Sequence, residues 1–278
     1  MGFYKLLFVE GKKLIFQRDI YIALFICTVL FWLAINSNPE PSSPFQFWKS
    51  LASVMPWIGY WFVSVLIVVG VARCLPFERE QGMEELIHTY KKGRLHLLVV
   101  KQVTLLIYCA LVVFYFYLLA IAAYAMQYDT GGLFAQVRMA ESPYVSVNPS
   151  WTFAQLLLYE YGYLVLAAYI FALSILFLSF IIKRSVFIIM IAGGSFAAGE
   201  IFYFFLLRYI GTMEISKYPY FINRYGFNGM LGFNYLDSLT ADYISAIQVY
   251  GLFAVIIVLL FLLNLAAKRW MRHVALGD

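Results

Sequence analysis

Residues Pro76 to Lys101 read PFEREQGMEELIHTYKKGRLHLLVVK, a polar stretch set between two long apolar runs. It holds four of the chain's fifteen acids, Glu78, Glu80, Glu84 and Glu85, and five of its twenty bases, Arg79, Lys91, Lys92, Arg94 and Lys101. Such a stretch belongs in water. Its content of Glu, Leu, Met and Lys favours helix, and Glu84 and His88 stand one turn apart on one face. Leu86, Ile87 and Tyr90 remain as apolar contacts. The reading is a short charged helix held at a membrane surface by its two neighbours and suited to dock a soluble partner.

The rest of the composition sets that surface. Hydrophobic residues make up 63% of the chain, charged residues 13%, and mean hydropathy is +0.80. A soluble domain carries about one quarter charged residues, so the chain reads as an integral membrane protein. At about 20 apolar residues per helical span, 278 residues accommodate six spans with modest loops in one transmembrane domain, residues 1–278. The three cysteines, Cys27, Cys74 and Cys109, fall in or beside apolar runs, and neither a disulfide framework nor a metal site is built that way.

Ahead of the first span, Phe3 to Arg18 mix Lys5, Lys12, Lys13 and Arg18 with Phe3, Leu7, Leu14 and Ile15. At helical spacing those four apolar residues fall within an arc of about 120° with the three lysines on the other side, while Leu6, Val9 and Phe16 blur the polar face. Residues 1–19 are therefore expected to form an amphipathic helix lying along the cytoplasmic interface. The alternative is the basic flank of a signal anchor. The length of the polar region, the presence of Glu10 and the lack of a small-residue cleavage site argue against a removable leader.

The six spans are expected at Ile20 to Ile35, Leu51 to Leu75, Gln102 to Met126, Phe153 to Ile182, Ser185 to Leu207 and Ser245 to Ala267. An N-terminus inside the cell puts fifteen of the twenty Lys and Arg residues on the cytoplasmic side and leaves Lys49, Arg138, Arg208, Lys217 and Arg224 outside. That bias obeys the positive-inside rule, so both termini are expected in the cytoplasm of a multi-pass cell-membrane protein. The outer connections are of another kind. Asn36 to Ser50 and Tyr128 to Trp151 carry Pro, Gly and polar residues, while Tyr209 to Ile244 is rich in rings that suit the outer interface.

Motifs for independent catalysis are missing. Gly11-Lys12-Lys13 lacks the upstream glycine and the following Ser or Thr of a P-loop, and there is neither HExxH nor GxSxG. His88 and His96 are too far apart for the usual helical metal pair. No cofactor or metal is expected in this chain, and no enzyme activity of its own. Two carboxylates stand inside apolar runs, where ionisable groups are costly and suggest function. Glu160 lies about two turns from the outer end of its run and is either a substrate contact or a carboxylate reaching the interface. Glu200 follows the small-residue tract Gly193-Gly194-Ser195 and Ala197-Ala198-Gly199, which permits close packing or a break; a chain turning back there would bring Arg208 toward it.

The order of parts, with Phe77-Glu78-Arg79-Glu80-Gln81-Gly82-Met83-Glu84-Glu85-Leu86, then Lys91-Lys92-Gly93-Arg94 and Lys101, resembles the permease subunit of ABC-2 type transporters. The pattern of acids, a glycine, an apolar pair, a basic turn and a lysine opening the third span is similar to the family's. Met83 stands where the family often has Thr, and the basic turn replaces one that usually contains Pro. The resemblance implies that residues 76–101 form a coupling helix seated on a separate ATP-binding subunit, through Glu78, Arg79, Glu80, Gly82, Glu84, Glu85 and Leu86. It implies that Phe3 to Arg18 are the connecting helix and that residues 208–244 form an outer segment with re-entrant helices between spans five and six. The partners would be two ATP-binding subunits, holding ATP and Mg, and a second permease, identical or related; nucleic acid is not expected.

The expected function is export of an amphipathic or hydrophobic cargo, such as a peptide, lipid or drug, on ATP hydrolysed by the partner. A membrane scaffold or sensor accessory would need the same docking helix, and an ion-coupled carrier would use Glu160 or Glu200. Both remain open at the level of sequence.

Overall fold

The computed structural model describes residues 3–37, 45–74, 76, 93–136, 151–182, 184–210 and 254–265. Among these residues the chain is helical, with an isolated bridge between Gln136 and Thr152 as the only extended pairing. The helices are α1 (Phe3–Ile15), α2 (Arg18–Asn36), α3 (Gln46–Val54), α4 (Tyr60–Val71), α5 (Gly93–Ala125), α6 (Phe153–Ile181), α7 (Ser185–Ile210) and α8 (Ala254–Leu265). Three stretches, Arg18–Asn36, Leu97–Ala125 and Phe153–Ile181, are long and apolar enough to cross a membrane, which supports a membrane protein.

α6 is the hub. It packs against α3, α4, α5 and α7, and its buried residues, from Phe153 through Leu164, Ala168 and Leu176 to Ser179, surround its axis. A helix apolar on all sides is one enclosed by apolar surroundings. α2 is its opposite. Ile20, Cys27, Phe31 and Ile35 form a single buried stripe, while Tyr21, Ile22, Phe25, Ile26, Val29, Leu30 and Leu33 face outward. That apolar outward face is what a lipid-contacting helix requires.

α3 and α4 are joined without a break by a π-type turn over Met55–Gly59, where the Tyr60 N–H reaches the Met55 carbonyl five residues back. Pro56 is the local cause, because proline has no N–H to donate into the preceding turn. The helix therefore starts at Gln46, before the expected Leu51. α5 likewise opens at Gly93, so the last residues of the polar segment are already its first turns.

Packing between the helices combines rings with a few polar ties. The Phe31 ring of α2 meets Phe116 of α5 at 5.1 Å and Phe62 of α4 at 5.5 Å, both edge to face. Thr28 and Tyr115 hydroxyls share a hydrogen bond of 2.8 Å between α2 and α5, and Tyr161 donates to the Ala110 carbonyl at 3.1 Å between α6 and α5. Tyr108 donates to the Leu66 carbonyl at 2.8 Å, a close approach allowed by Gly70. A Cβ added there would meet the Tyr108 hydroxyl oxygen at 2.6 Å.

At the far end of α5 the chain folds back to cap α6. The Phe153 and Ala154 N–H groups donate to the carbonyls of Ala135 and Leu133, and Thr152 and Gln155 form a reciprocal capping box. Trp48 donates from Nε1 to the Gly131 carbonyl at 2.8 Å. Gly132, at φ +90, leaves room for the Phe45 ring that a Cβ would strike. The donors left unpaired at a helix start are thus met within the chain.

Candidate functional site: an ion-paired junction at the base of the polar segment

The two ends of the polar segment are held by charged side chains of the first two helices. Glu10 of α1 and Lys101 of α5 are each 2% exposed, and the Lys101 ammonium donates to Glu10 Oε2 at 2.7 Å. Lys13 donates to Oε1 of the same carboxylate at 2.7 Å. Lys101 Nζ also lies 3.8 Å from Cys74 Sγ, on the strand of chain that leaves α4. Beside it Arg73 pairs with Asp19, the second residue of α2. One end of the segment is therefore tied to α2 through Arg73, and the other to α1 through Lys101.

The Glu10 carboxyl is charged in this setting. Burial pushes its pKa up, but the Lys101 ammonium, then Lys13, outweighs that and holds it below the usual range. A carboxylate with two ammonium partners satisfies the conditions under which a buried charge is tolerated, since removing one partner would strand the other. Arg73 and Asp19 are partly exposed and contribute correspondingly less.

Sequence reasoning missed Glu10 and Asp19 as partners. A signal existed for Glu10: at 100° per residue it falls about 20° from Phe3, at the edge of the apolar arc and away from Lys5 and Lys12. The expected orientation of α1 also changes. The arc containing Leu14 turns toward the protein, where Leu14 is buried with Glu10, and the side facing away carries Tyr4, Phe8, Ile15 and Phe16. An ion pair inside the molecule, not the apolar arc alone, sets the rotation of this helix.

Glu78, Arg79, Glu80, Gly82, Glu84, Glu85 and Leu86 lie outside the described residues. Glu160 is fully buried, so the expectation of a carboxylate reaching the interface is not met. Neither of its oxygens has a partner in hydrogen-bond geometry among the described residues. The reason for the burial is that Glu160 stands on the inward side of α6 with Leu156, Tyr163 and Leu164, while Leu158 on the opposite side is 73% exposed.

Glu200 and Arg208 both stand on α7, which runs unbroken through the small-residue tract to Ile210. Eight residues of helix separate them by about 12 Å along the axis, and no turn brings them together. Residues 208–210 of the expected outer segment are thus helical, and the rest of that segment, residues 211–244, lies outside the described residues. Among the described residues nothing lies within 4 Å of where a Cβ would stand on Gly193 or Gly194.

Among the described residues no group of three or more His, Cys, Asp and Glu side chains could hold a metal ion. No family model, curated protein or solved structure matches the chain.

Proposed function

We propose that this chain is the membrane-spanning permease of an ATP-driven exporter of the ABC-2 type, with six spans, cytoplasmic termini and a partner ATPase docked on residues 76–101. The observation that carries the reading is the anchoring of both ends of that segment, Arg73 to Asp19 and Lys101 to Glu10. A segment that receives force from a partner needs stiff ends. Here a push on it passes through Lys101 into α5 and α1 together, and through Arg73 into α2. The spans would then open in turn to either side around a path shared with a second permease, and an amphipathic or hydrophobic cargo would cross.

The test is purification of the tagged protein in mild detergent, with identification of what accompanies it and an ATPase assay. A stoichiometric ATP-binding subunit is expected, lost or uncoupled when Glu84 and Glu85 are both changed to Lys. Repeated recovery of the intact chain without any ATPase would remove the proposal.

A second reading, an ion-coupled carrier, is favoured by one observation, the full burial of Glu160 beside Tyr117. A membrane carboxyl of this kind is a natural proton carrier. In proteoliposomes without nucleotide, this reading requires uptake or efflux driven by a pH gradient and abolished by Glu160→Gln.

A further inference from the structure

The side of α1 that faces away from the protein has a composition of its own. Tyr4 is 83% exposed, Phe8 64% and Phe16 67%, and Tyr4, Phe8 and Ile15 recur at positions that share one helical face. Lys5 and Lys12 are exposed along one edge of that face, two turns apart. The Lys12 ammonium lies over the Phe8 ring, 4.7 Å from its centre. Neither lysine has an acidic partner among the described residues, because the nearby Glu10 is buried on the opposite side and engaged by Lys13 and Lys101.

We infer that this aromatic and basic face of α1 binds anionic phospholipid, with the rings among the upper acyl chains and Lys5 and Lys12 on the headgroup phosphates. Three features select lipid over a protein partner. The Phe16 ring contacts Tyr21 of α2 at 6.5 Å, so the face continues into the outward apolar surface of α2, which is long and apolar enough to cross the membrane. Its rotation is fixed by the buried Glu10–Lys101 pair, so the rings cannot turn inward. Finally, positive charge with no acidic partner among the described residues, beside exposed aromatic rings, complements an interface bearing negative phosphates. The inference rests on α2 crossing the membrane and is independent of the export reading.

The test uses the full chain in nanodiscs of equal phosphatidylcholine and phosphatidylglycerol, with a photo-crosslinkable analogue of one lipid or the other and identification of the labelled peptides. Peptides from residues 3–16 should carry more crosslink from phosphatidylglycerol than from phosphatidylcholine, by about fivefold per exposed lysine at low salt. Lys5→Gln with Lys12→Gln should bring the two lipids level, and in the unaltered protein about 0.5 M salt should do the same by screening. Equal labelling by both lipids at low salt overturns the proposal, as does a preference that survives the double substitution. Absence of label on these peptides from either lipid would mean that protein covers the face, and would overturn it too. The salt series needs no variant, so misfolding of the double substitution leaves the proposal open to refutation.

Discussion

Glu10 shows how one side chain can orient an element. Its carboxylate joins α1 to α5, and its removal leaves Lys101 buried with its principal counter-charge gone. Glu10→Gln is therefore expected to destabilise the protein by about 3–5 kcal/mol, read as a lower melting temperature in detergent. Replacing the two buried partners, Glu10→Met with Lys101→Met, should recover most of that loss, because no fully buried charge is then stranded and Lys13, whose side chain is 30% exposed, reaches water. The pH dependence follows from the lowered folded pKa of Glu10. Its contribution is complete above the unfolded value of about 4.3 and is lost as pH falls through the lower folded value. Acid unfolding should accordingly include a component below about pH 4.3 that Glu10→Gln lacks. Glu160 presents the contrary case, a buried carboxyl with no cationic partner among the described residues. Exchange for a similarly sized apolar group removes its desolvation cost, so Glu160→Leu should raise the melting temperature by the equivalent of about 1–3 kcal/mol. A gain in stability accompanied by loss of transport would mark Glu160 as functional; a fall in melting temperature would show that Glu160 supports the fold.

Among the elements, the contact of α4 with α5 depends most on a single small residue. Gly70 leaves space for the Tyr108 hydroxyl, which reaches the Leu66 carbonyl. Gly70→Ala gains in helix propensity but pushes against an aromatic side chain fully enclosed by its neighbours, and overpacking of this kind costs about 1–3 kcal/mol. The expected net result is a lower melting temperature, partly relieved when Tyr108→Phe is added, since the oxygen at 2.6 Å is then gone while the ring carbon that bore it stays at 2.9 Å. If Gly70→Ala alone left the melting temperature unchanged or higher, the close approach would not limit packing of these helices. The π-type turn at Met55–Gly59 belongs to the same scale. It follows from Pro56, and it places Tyr60 and Trp61 against Phe196 of α7, at 6.1 and 5.3 Å between ring centres.

At the scale of the whole molecule, the charged and aromatic ends of α5 are built differently. The aromatic end is closed by hydrogen bonds and ring contacts around Trp48, Gly131 and Phe153. The charged end is closed by ion pairs, and it is the end from which the polar segment emerges. On the proposed function, reversal of Glu84 and Glu85 should leave membrane insertion and melting temperature unchanged while it removes the partner or its stimulated ATPase. Glu10→Gln should do the reverse, lowering stability first and coupling as a consequence. A variant pair that failed to separate in this way would mean that docking and folding are not carried by different residues.

The character of the protein was legible in its amino-acid order because the cost of leaving backbone in lipid unpaired forces long apolar runs into helices. The bounds of α2, α6 and the start of α7 could be read to within a few residues from where charge or proline interrupts those runs. Which side of each helix faces inward could not. In a membrane the lipid face and the core face are both apolar, so α2, with one buried stripe, and α6, buried on every side through its middle turns, look alike as strings of letters. For the same reason the sequence left open whether Glu160 reaches the interface, and only the packing shows it buried. The rotation of α1 was set by a contact between residues 10 and 101, and a pairing across that separation leaves no periodic trace in sequence; only the packing of α1 on α5 brings those two charges together.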